Sequence, residues 1–107
     1  MRLLCADDEP DIRTILELAL SLEPEFEAEL FDSGAALIAR AQRGDADAIL
    51  LDAMMPGMDG AETCRRLKAD PVTAHLPVVF LTARAQQGEK DGLLEAGAIA
   101  CLTKPFD

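Results

Sequence analysis

The chain has 107 residues, half of them hydrophobic and 28% charged, which predicts one globular domain over residues 1–107. A formal charge of −10 disfavours direct binding to nucleic acid or to anionic lipid. No apolar run approaches the roughly 20 residues of a membrane helix, and the polar start is no signal peptide, so we expect no membrane partner. The three cysteines show no CxxC spacing, so we expect a reduced, cytoplasmic protein.

Short apolar runs alternate with stretches of helical spacing along the whole chain. The predicted elements, in chain order, are a strand at 3–6, a helix from 10 to about 22, a half-exposed edge strand at 26–31, a helix from about 34 that ends before 44, a buried strand at 48–51, a helix to about 69, a buried strand at 78–81, a weak helix at about 87–96 and a strand at 100–103. Asp59 with Glu62 predicts a capping box before the third helix, and Gly97 predicts the end of the fourth. This order predicts an α/β fold with a doubly wound parallel sheet.

Candidate site residues follow four of the five predicted strands. Because the carboxyl ends of parallel strands meet at one edge of a sheet, we expect these side chains to lie together. They are Asp7, Asp8, Asp52, Thr82 and Lys104. Taken singly, each has a structural interpretation: a helix cap for the Asp7-Asp8 pair and for Thr82, a turn residue for Asp52, a surface lysine for Lys104. Their conjunction at one edge favours a functional site.

Three converging carboxylates repel one another, and a divalent cation relieves that repulsion. Oxygen ligands with a phosphate nearby suit Mg²⁺. A carboxylate at a strand tip, such as Asp52, could act as a nucleophile on phosphorus, with the metal ion, Lys104 and Thr82 stabilising the charge on the transferred oxygens.

Four stretches, in this order and spacing, resemble the receiver domain of two-component response regulators, the family that takes a phosphoryl group from a histidine kinase. They are Leu4-Cys5-Ala6-Asp7-Asp8-Glu9-Pro10, the segment from Ile49 to Gly60, Pro77-Val78-Val79-Phe80-Leu81-Thr82-Ala83, and Leu102-Thr103-Lys104-Pro105-Phe106. The resemblance covers nearly the whole chain. It implies a flavodoxin-like topology with strand order 2-1-3-4-5 and a signalling domain that catalyses only its own Mg²⁺-dependent phosphorylation and dephosphorylation.

The resemblance also implies a role for each site residue. Asp52 would be the phosphoacceptor. Mg²⁺ would be held by Asp7, Asp8, Asp52 and the backbone carbonyl of Met54, with Asp8 and Asp52 as direct ligands and Asp7 acting partly through water. The partner would be a histidine kinase or a phosphotransfer protein.

Two further roles follow from the same resemblance. Thr82 would be the switch hydroxyl, and Lys104 would pair with the phosphoryl oxygens, aimed by a cis bond to Pro105. Met54 and Arg84 would tune the lifetime of the phosphoryl group.

Two departures from the family pattern stand out. Cys101 occupies a position that is usually aromatic, three residues before Lys104, which puts the usual aromatic switch in doubt. We also expect no fifth helix, which would leave apolar surface bare on the third to fifth strands beside the first helix. Either the chain is truncated, or a second copy or a partner helix covers that face, and Cys101 would report on this if its side chain pointed there.

Three alternative functions fit the sequence less well. A pseudo-receiver that is never phosphorylated usually lacks one of the acids, the threonine or the lysine, and all are present here. A phosphohydrolase acting on free substrates would need a second acid where Met54 stands, or a cap domain. A flavin-binding module of similar topology would need a phosphate loop where the acidic Asp7-Asp8-Glu9 lies.

Overall fold

The computed structural model describes residues 1–83 and 87–104, without the side chains of 87–89. Five strands alternate with four helices: β1 (Arg2–Ala6), α1 (Pro10–Ser21), β2 (Glu27–Phe31), α2 (Gly34–Ala41), β3 (Ala48–Asp52), α3 (Gly60–Ala69), β4 (Val78–Thr82), α4 (Gln87–Glu95) and β5 (Ala100–Thr103). Within these residues no helix is both long enough and apolar enough to cross a membrane.

The strands form one parallel sheet in the order β2-β1-β3-β4-β5. This confirms the α/β doubly wound fold and the strand order expected from the sequence. The alternating strand β2 lies at an edge, while β3 and β4, apolar on both faces, lie inside the sheet. Burial on both faces is what makes the sequence of an interior parallel strand continuously hydrophobic.

The helix ends show which local signals were correct. Ser33 accepts a hydrogen bond from the N–H of Ala36 at the start of α2. Asp59 accepts one from the N–H of Glu62 at the start of α3, so half of the predicted capping box forms. The reciprocal half does not, because the carboxylate of Glu62 pairs with the exposed guanidinium groups of Arg65 and Arg66 one turn later.

The two faces of the sheet are packed differently. On one face, alternate strand residues such as Ile49, Leu51 and Phe80 join a buried cluster with side chains of α2, α3 and α4. Cys101, in register with Phe80, packs against the same cluster. Its side chain therefore lies on the core side of the sheet, so the condition under which it would report on the face beside α1 is not met.

The opposite face carries a groove beside α1. The residues between those of the core, Leu50, Leu81 and Leu102, line it together with Ile15, Leu16, Ala19 and Thr103, around a volume of about 420 Å³. Leu102 is 53% exposed there. The expectation that apolar surface of β3 to β5 lies open on the side of α1 agrees with this groove.

Candidate functional site

Backbone hydrogen bonds beyond the strands hold the site residues at the carboxyl edge of the sheet. The N–H of Asp7, just after β1, donates to the carbonyl of Phe31 at 3.0 Å. The N–H of Lys104, just after β5, donates to the carbonyl of Thr82 at 2.8 Å. Asp52 and Thr82 are themselves the last residues of β3 and β4. The fold therefore brings the residues at the ends of β1, β3, β4 and β5 to one edge of the sheet, as the sequence predicts.

Lys104 lies among three carboxylates. Its Nζ is 3.2 Å from Oδ2 of Asp7, 3.4 Å from Oδ1 of Asp52 and 3.6 Å from Oε1 of Glu9. The lysine side chain is 9% exposed, and Asp7 and Asp52 are almost fully buried. Burial lowers the pKa of Lys104, but attraction by Asp52 and Asp7 outweighs it and leaves that pKa above its ordinary value. Lys104 is thus an interior ammonium group and not a surface lysine.

Asp7 is used within the site and does not cap α1. The N-cap residue of α1 is Glu9, and the N–H of Glu9 donates to Oδ1 of Asp7 at 2.9 Å. Arg13 donates to the carbonyl oxygen of Asp7 and fixes the turn. Oδ2 of Asp7 is buried and accepts no hydrogen bond within the described residues, its nearest cation being the Lys104 ammonium. Burying a carboxylate is costly unless its charge is compensated, and at Oδ2 the recorded compensation is this ion pair with Lys104, which Asp52 and Glu9 share.

Asp52 is the other buried carboxylate of the site. Its Oδ1 accepts a hydrogen bond from the N–H of Met54 at 3.1 Å. Burial and, to a smaller degree, the charge of Asp7 raise the pKa of Asp52 to about 6, against the opposing effects of the Met54 N–H and the Lys104 ammonium. When no cation other than Lys104 is bound, the ionised form of Asp52 therefore lowers the free energy of unfolding.

We expect Asp52→Asn to stabilise the fold in metal-free buffer at pH 7.5, by about 1–3 kcal/mol. A carboxyl group whose pKa is raised on folding destabilises the fold above that pKa, and the penalty is relieved as the pH falls. The advantage of the variant should therefore shrink between pH 6 and about pH 4, as far-ultraviolet circular dichroism melts in chelator would show. Asp32→Asn, at an exposed position, is the control; a lower melting point for Asp52→Asn than for the parent at pH 7.5 would contradict the assignment.

The donor set fits a hard divalent cation. One carboxylate oxygen from each of Asp7, Asp8, Glu9 and Asp52 lies within 4.8 Å of the others. These are oxygen donors, which Mg²⁺ prefers, and the unsatisfied Oδ2 of Asp7 is among the buried atoms of the cluster. Asp8 is half-buried and Glu9 is exposed, so the cluster opens to solvent on one side, as entry of an ion requires.

The remaining predicted residues are placed as follows. Thr82 is buried at the end of β4, on the strand next to that of Asp52. Met54 is 73% exposed, and its backbone N–H donates a hydrogen bond to the carboxylate of Asp52. Arg84 and the bond from Lys104 to Pro105 lie outside the described residues.

Gly60 is a site-supporting residue that the sequence did not single out. A Cβ atom there would overlap the carbonyl oxygen of Asp52 and lie 2.8 Å from a ring carbon of Phe80 and 2.9 Å from Cα of Ala53. The first residue of α3 thus packs directly on the strand end that carries Asp52, and only glycine fits this approach.

We expect Gly60→Ala to lower the free energy of unfolding by about 1–3 kcal/mol, because backbone atoms must move to admit the methyl group. Gly92→Ala is the matched control, since a Cβ at that position in α4 meets nothing within 4 Å. There the same change should be neutral or stabilise by up to about 1 kcal/mol through helix propensity. Equal effects of the two variants in chemical denaturation would show that the close approach at Gly60 does not matter.

Comparison with known proteins agrees with this geometry. The model of the response regulator receiver domain matches residues 3–107. The chain belongs to the response regulator receiver domain family. As a receiver domain it is a signalling module, and the match covers all four strand ends that form the site.

Curated relatives are longer than this receiver domain. The response regulator PleD of Caulobacter vibrioides is 47% identical over 107 residues, which are 99% of this chain and 23% of that protein. The transcriptional regulatory protein TcrA of Mycobacterium tuberculosis is 39% identical over 107 residues, 41% of its length. The chain therefore spans about a quarter to less than half of these relatives.

Solved structures show the same fold. The chemotaxis protein CheY4 of Vibrio cholerae superposes with a TM-score of 0.89 at 27% identity, covering 99% of this chain and 88% of that one. The receiver domain of the sensor histidine kinase PA1611 from Pseudomonas aeruginosa superposes with a TM-score of 0.86 at 32% identity, covering 99% of this chain and 86% of that one. The latter structure has a magnesium ion coordinated in its active site cleft.

Proposed function

We propose that Asp52 accepts a phosphoryl group from a histidine kinase or a phosphotransfer protein, in a reaction supported by Mg²⁺. The observation that carries this proposal is the buried pair of carboxylates, Asp7 and Asp52, which are both at ion-pair distance from the Lys104 ammonium at the carboxyl edge of the sheet. A purely structural ion pair would not require two buried acids, a third half-buried one and an unsatisfied oxygen at the same point.

The Asp52 carboxylate is suited to act as the nucleophile. With a pKa of about 6 it is mostly ionised at neutral pH, as attack on phosphorus requires. Both of its recorded contacts, from the Met54 N–H and from Lys104, fall on Oδ1. Oδ2 therefore forms the new bond to phosphorus while the bond from phosphorus to the donor nitrogen or oxygen breaks, and the donor leaves with that electron pair.

Asp7, Asp8, Asp52 and the backbone carbonyl of Met54 would hold the Mg²⁺ ion. Bound there, the ion supplies positive charge that offsets the clustered carboxylates and the phosphoryl oxygens. Asp7 would contribute through Oδ2, which accepts no hydrogen bond and is paired with the Lys104 ammonium, and its position is kept by the Glu9 N–H on Oδ1.

Lys104 and Thr82 complete the site. The ammonium of Lys104 is already at ion-pair distance from Asp52. After phosphoryl transfer it would pair with the negatively charged phosphoryl oxygens. Thr82, on the neighbouring strand end, would hydrogen-bond a phosphoryl oxygen through its hydroxyl and so convert phosphorylation into a conformational switch. The same residues would support hydrolysis of the acyl phosphate by water.

Acetyl phosphate with Mg²⁺, followed by intact mass measurement, tests the proposal. A receiver that works as proposed gains one phosphoryl group and gains it only when Mg²⁺ is present. A pseudo-receiver that serves only as an interaction module gains none, so an unchanged mass would favour that alternative.

We place one receiver domain over residues 1–107 within the cytoplasm, where a histidine kinase presents its phosphoryl group and where buried thiols such as those of Cys5 and Cys64 stay reduced.

Self-association through the groove beside α1 stays a prediction. Leu102 is half exposed in an apolar groove, and burying it against a second copy or a partner helix is favourable at roughly 25 cal/mol per Å². We expect the 107-residue chain to sediment as a concentration-dependent dimer and Leu102→Glu to weaken that dimer. Leu22→Glu, on the exposed end of α1 outside the groove, is the control, and a parent that stays monomeric at all concentrations would contradict the prediction.

A further inference from the structure

Glu9 occupies a place in the site that the assigned roles leave unexplained. Its backbone begins α1: its carbonyl accepts from the N–H of Arg13 at 3.1 Å, and its own N–H donates to Asp7. Its side chain, however, makes no capping bond to the helix. Instead, Oε1 lies 3.6 Å from Nζ of Lys104, and the carboxylate belongs to the four-acid cluster. The side chain is therefore directed to the site and not to the helix that it begins.

The surroundings leave this cluster of carboxylates with an excess of negative charge, which a divalent cation would offset. Oδ2 of Asp7 is fully buried and accepts no hydrogen bond in the described part of the chain, and its recorded partner is the Lys104 ammonium at 3.2 Å. Lys104 supplies one positive charge to at least three carboxylates, which leaves the cluster negative. The side chain of Glu9 is 60% exposed, so, unlike the buried Asp7 and Asp52, it can change its rotamer without disturbing the core.

We propose that Glu9 supplies a fourth side-chain carboxylate to the divalent cation, pairing with Lys104 in the metal-free protein and turning to the cation when one is bound. The inference rests on the proposed function, because it concerns the same cation site. A further anionic oxygen at the rim raises the affinity of the unphosphorylated protein for divalent cations. It also frees Lys104 from one of its three acidic partners, so that the ammonium group is available to the phosphoryl oxygens.

Length as well as charge is required of this residue. An aspartate at the N-cap of a helix has the length to accept from the backbone N–H two or three residues on, and so would be drawn to α1. Glu9→Asp should therefore keep the charge and lose the reach, whereas Glu9→Gln loses the charge and keeps the length. Asp11, also acidic and also in the first turn of α1, lies outside the cluster and provides a matched control.

Binding of Mn²⁺ to the unphosphorylated protein, followed by the loss of the electron paramagnetic resonance signal of the free ion, tests the proposal. We expect Glu9→Gln and Glu9→Asp each to raise the dissociation constant by roughly ten-fold, and Asp11→Asn to raise it by less than about two-fold because its charge is farther away and screened. Equal effects of Glu9→Gln and Asp11→Asn, or a wild-type constant for Glu9→Asp, would overturn the proposal, since net charge alone would then explain the result. No phosphodonor is used, so failure of Asp52 labelling leaves this readout untouched, and failure here leaves the labelling of Asp52 intact.

Discussion

Asp52→Asn should abolish the phosphoryl adduct that acetyl phosphate and Mg²⁺ form on the parent chain. The amide has no ionised oxygen to attack phosphorus, and removal of a nucleophile leaves only background reaction, so labelling should fall to about one-hundredth or less. The variant remains folded because an amide oxygen at this position can still accept the N–H of Met54. Loss of labelling therefore reports on chemistry and not on unfolding.

The control for this experiment is Asp32→Asn, which removes an exposed acid just after β2. Its labelling should equal that of the parent. Undiminished labelling of Asp52→Asn would move the phosphoacceptor to another acid and would remove the basis of the proposed function.

The largest effect on stability is expected from Lys104→Met. The change leaves Asp7 and Asp52, both almost fully buried, without their shared cation. Removing one partner of a buried ion pair costs about 3–5 kcal/mol, because an uncompensated charge stays inside the protein. That is a large part of the 5–15 kcal/mol of stability typical of a domain. Chemical denaturation in metal-free buffer at pH 7.5, followed by circular dichroism because the chain has no Trp or Tyr, measures the loss.

Two comparisons make this result specific. Lys90→Met, at a half-buried lysine of α4 outside the cluster, should change stability by less than about 0.5 kcal/mol. In an Asp52→Asn background Lys104→Met should cost less than in the parent, because one of the two stranded carboxylates is gone. A loss for Lys104→Met no larger than that for Lys90→Met would show that the interior ammonium does not hold these acids in place.

The fold was predictable because each element carries its own local signal. The runs at β3 and β4 are apolar at every position, as interior parallel strands are, and Pro10 and Gly97 mark a helix start and a helix end. The capping box was only half correct because the sequence shows which residues are close along the chain, but not which of several possible partners a side chain binds. Glu62 has two arginines one turn ahead, and they take its carboxylate.

The position of the site was also predictable, because topology alone brings the ends of parallel strands together. Sequence could not show that Asp7 is buried with an unsatisfied oxygen, that Lys104 is interior, or that Gly60 packs on the carbonyl of Asp52. These are properties of packing between elements far apart in the chain. For Glu9 the sequence did offer a signal of membership in the site, because the residue directly follows two acids in a tight turn. An exposed glutamate before a helix, however, is usually no more than a surface residue.

Chemical trapping of the phosphorylated residue tests the central claim most directly. Borohydride reduces an aspartyl phosphate to homoserine with release of phosphate, and peptide mass mapping then locates the changed residue. After incubation with acetyl phosphate and Mg²⁺, the account predicts homoserine at position 52, and none when Mg²⁺ is chelated. Homoserine at Asp7, Asp8 or any other aspartate, or none at all in a chain that has gained a phosphoryl group, would contradict it.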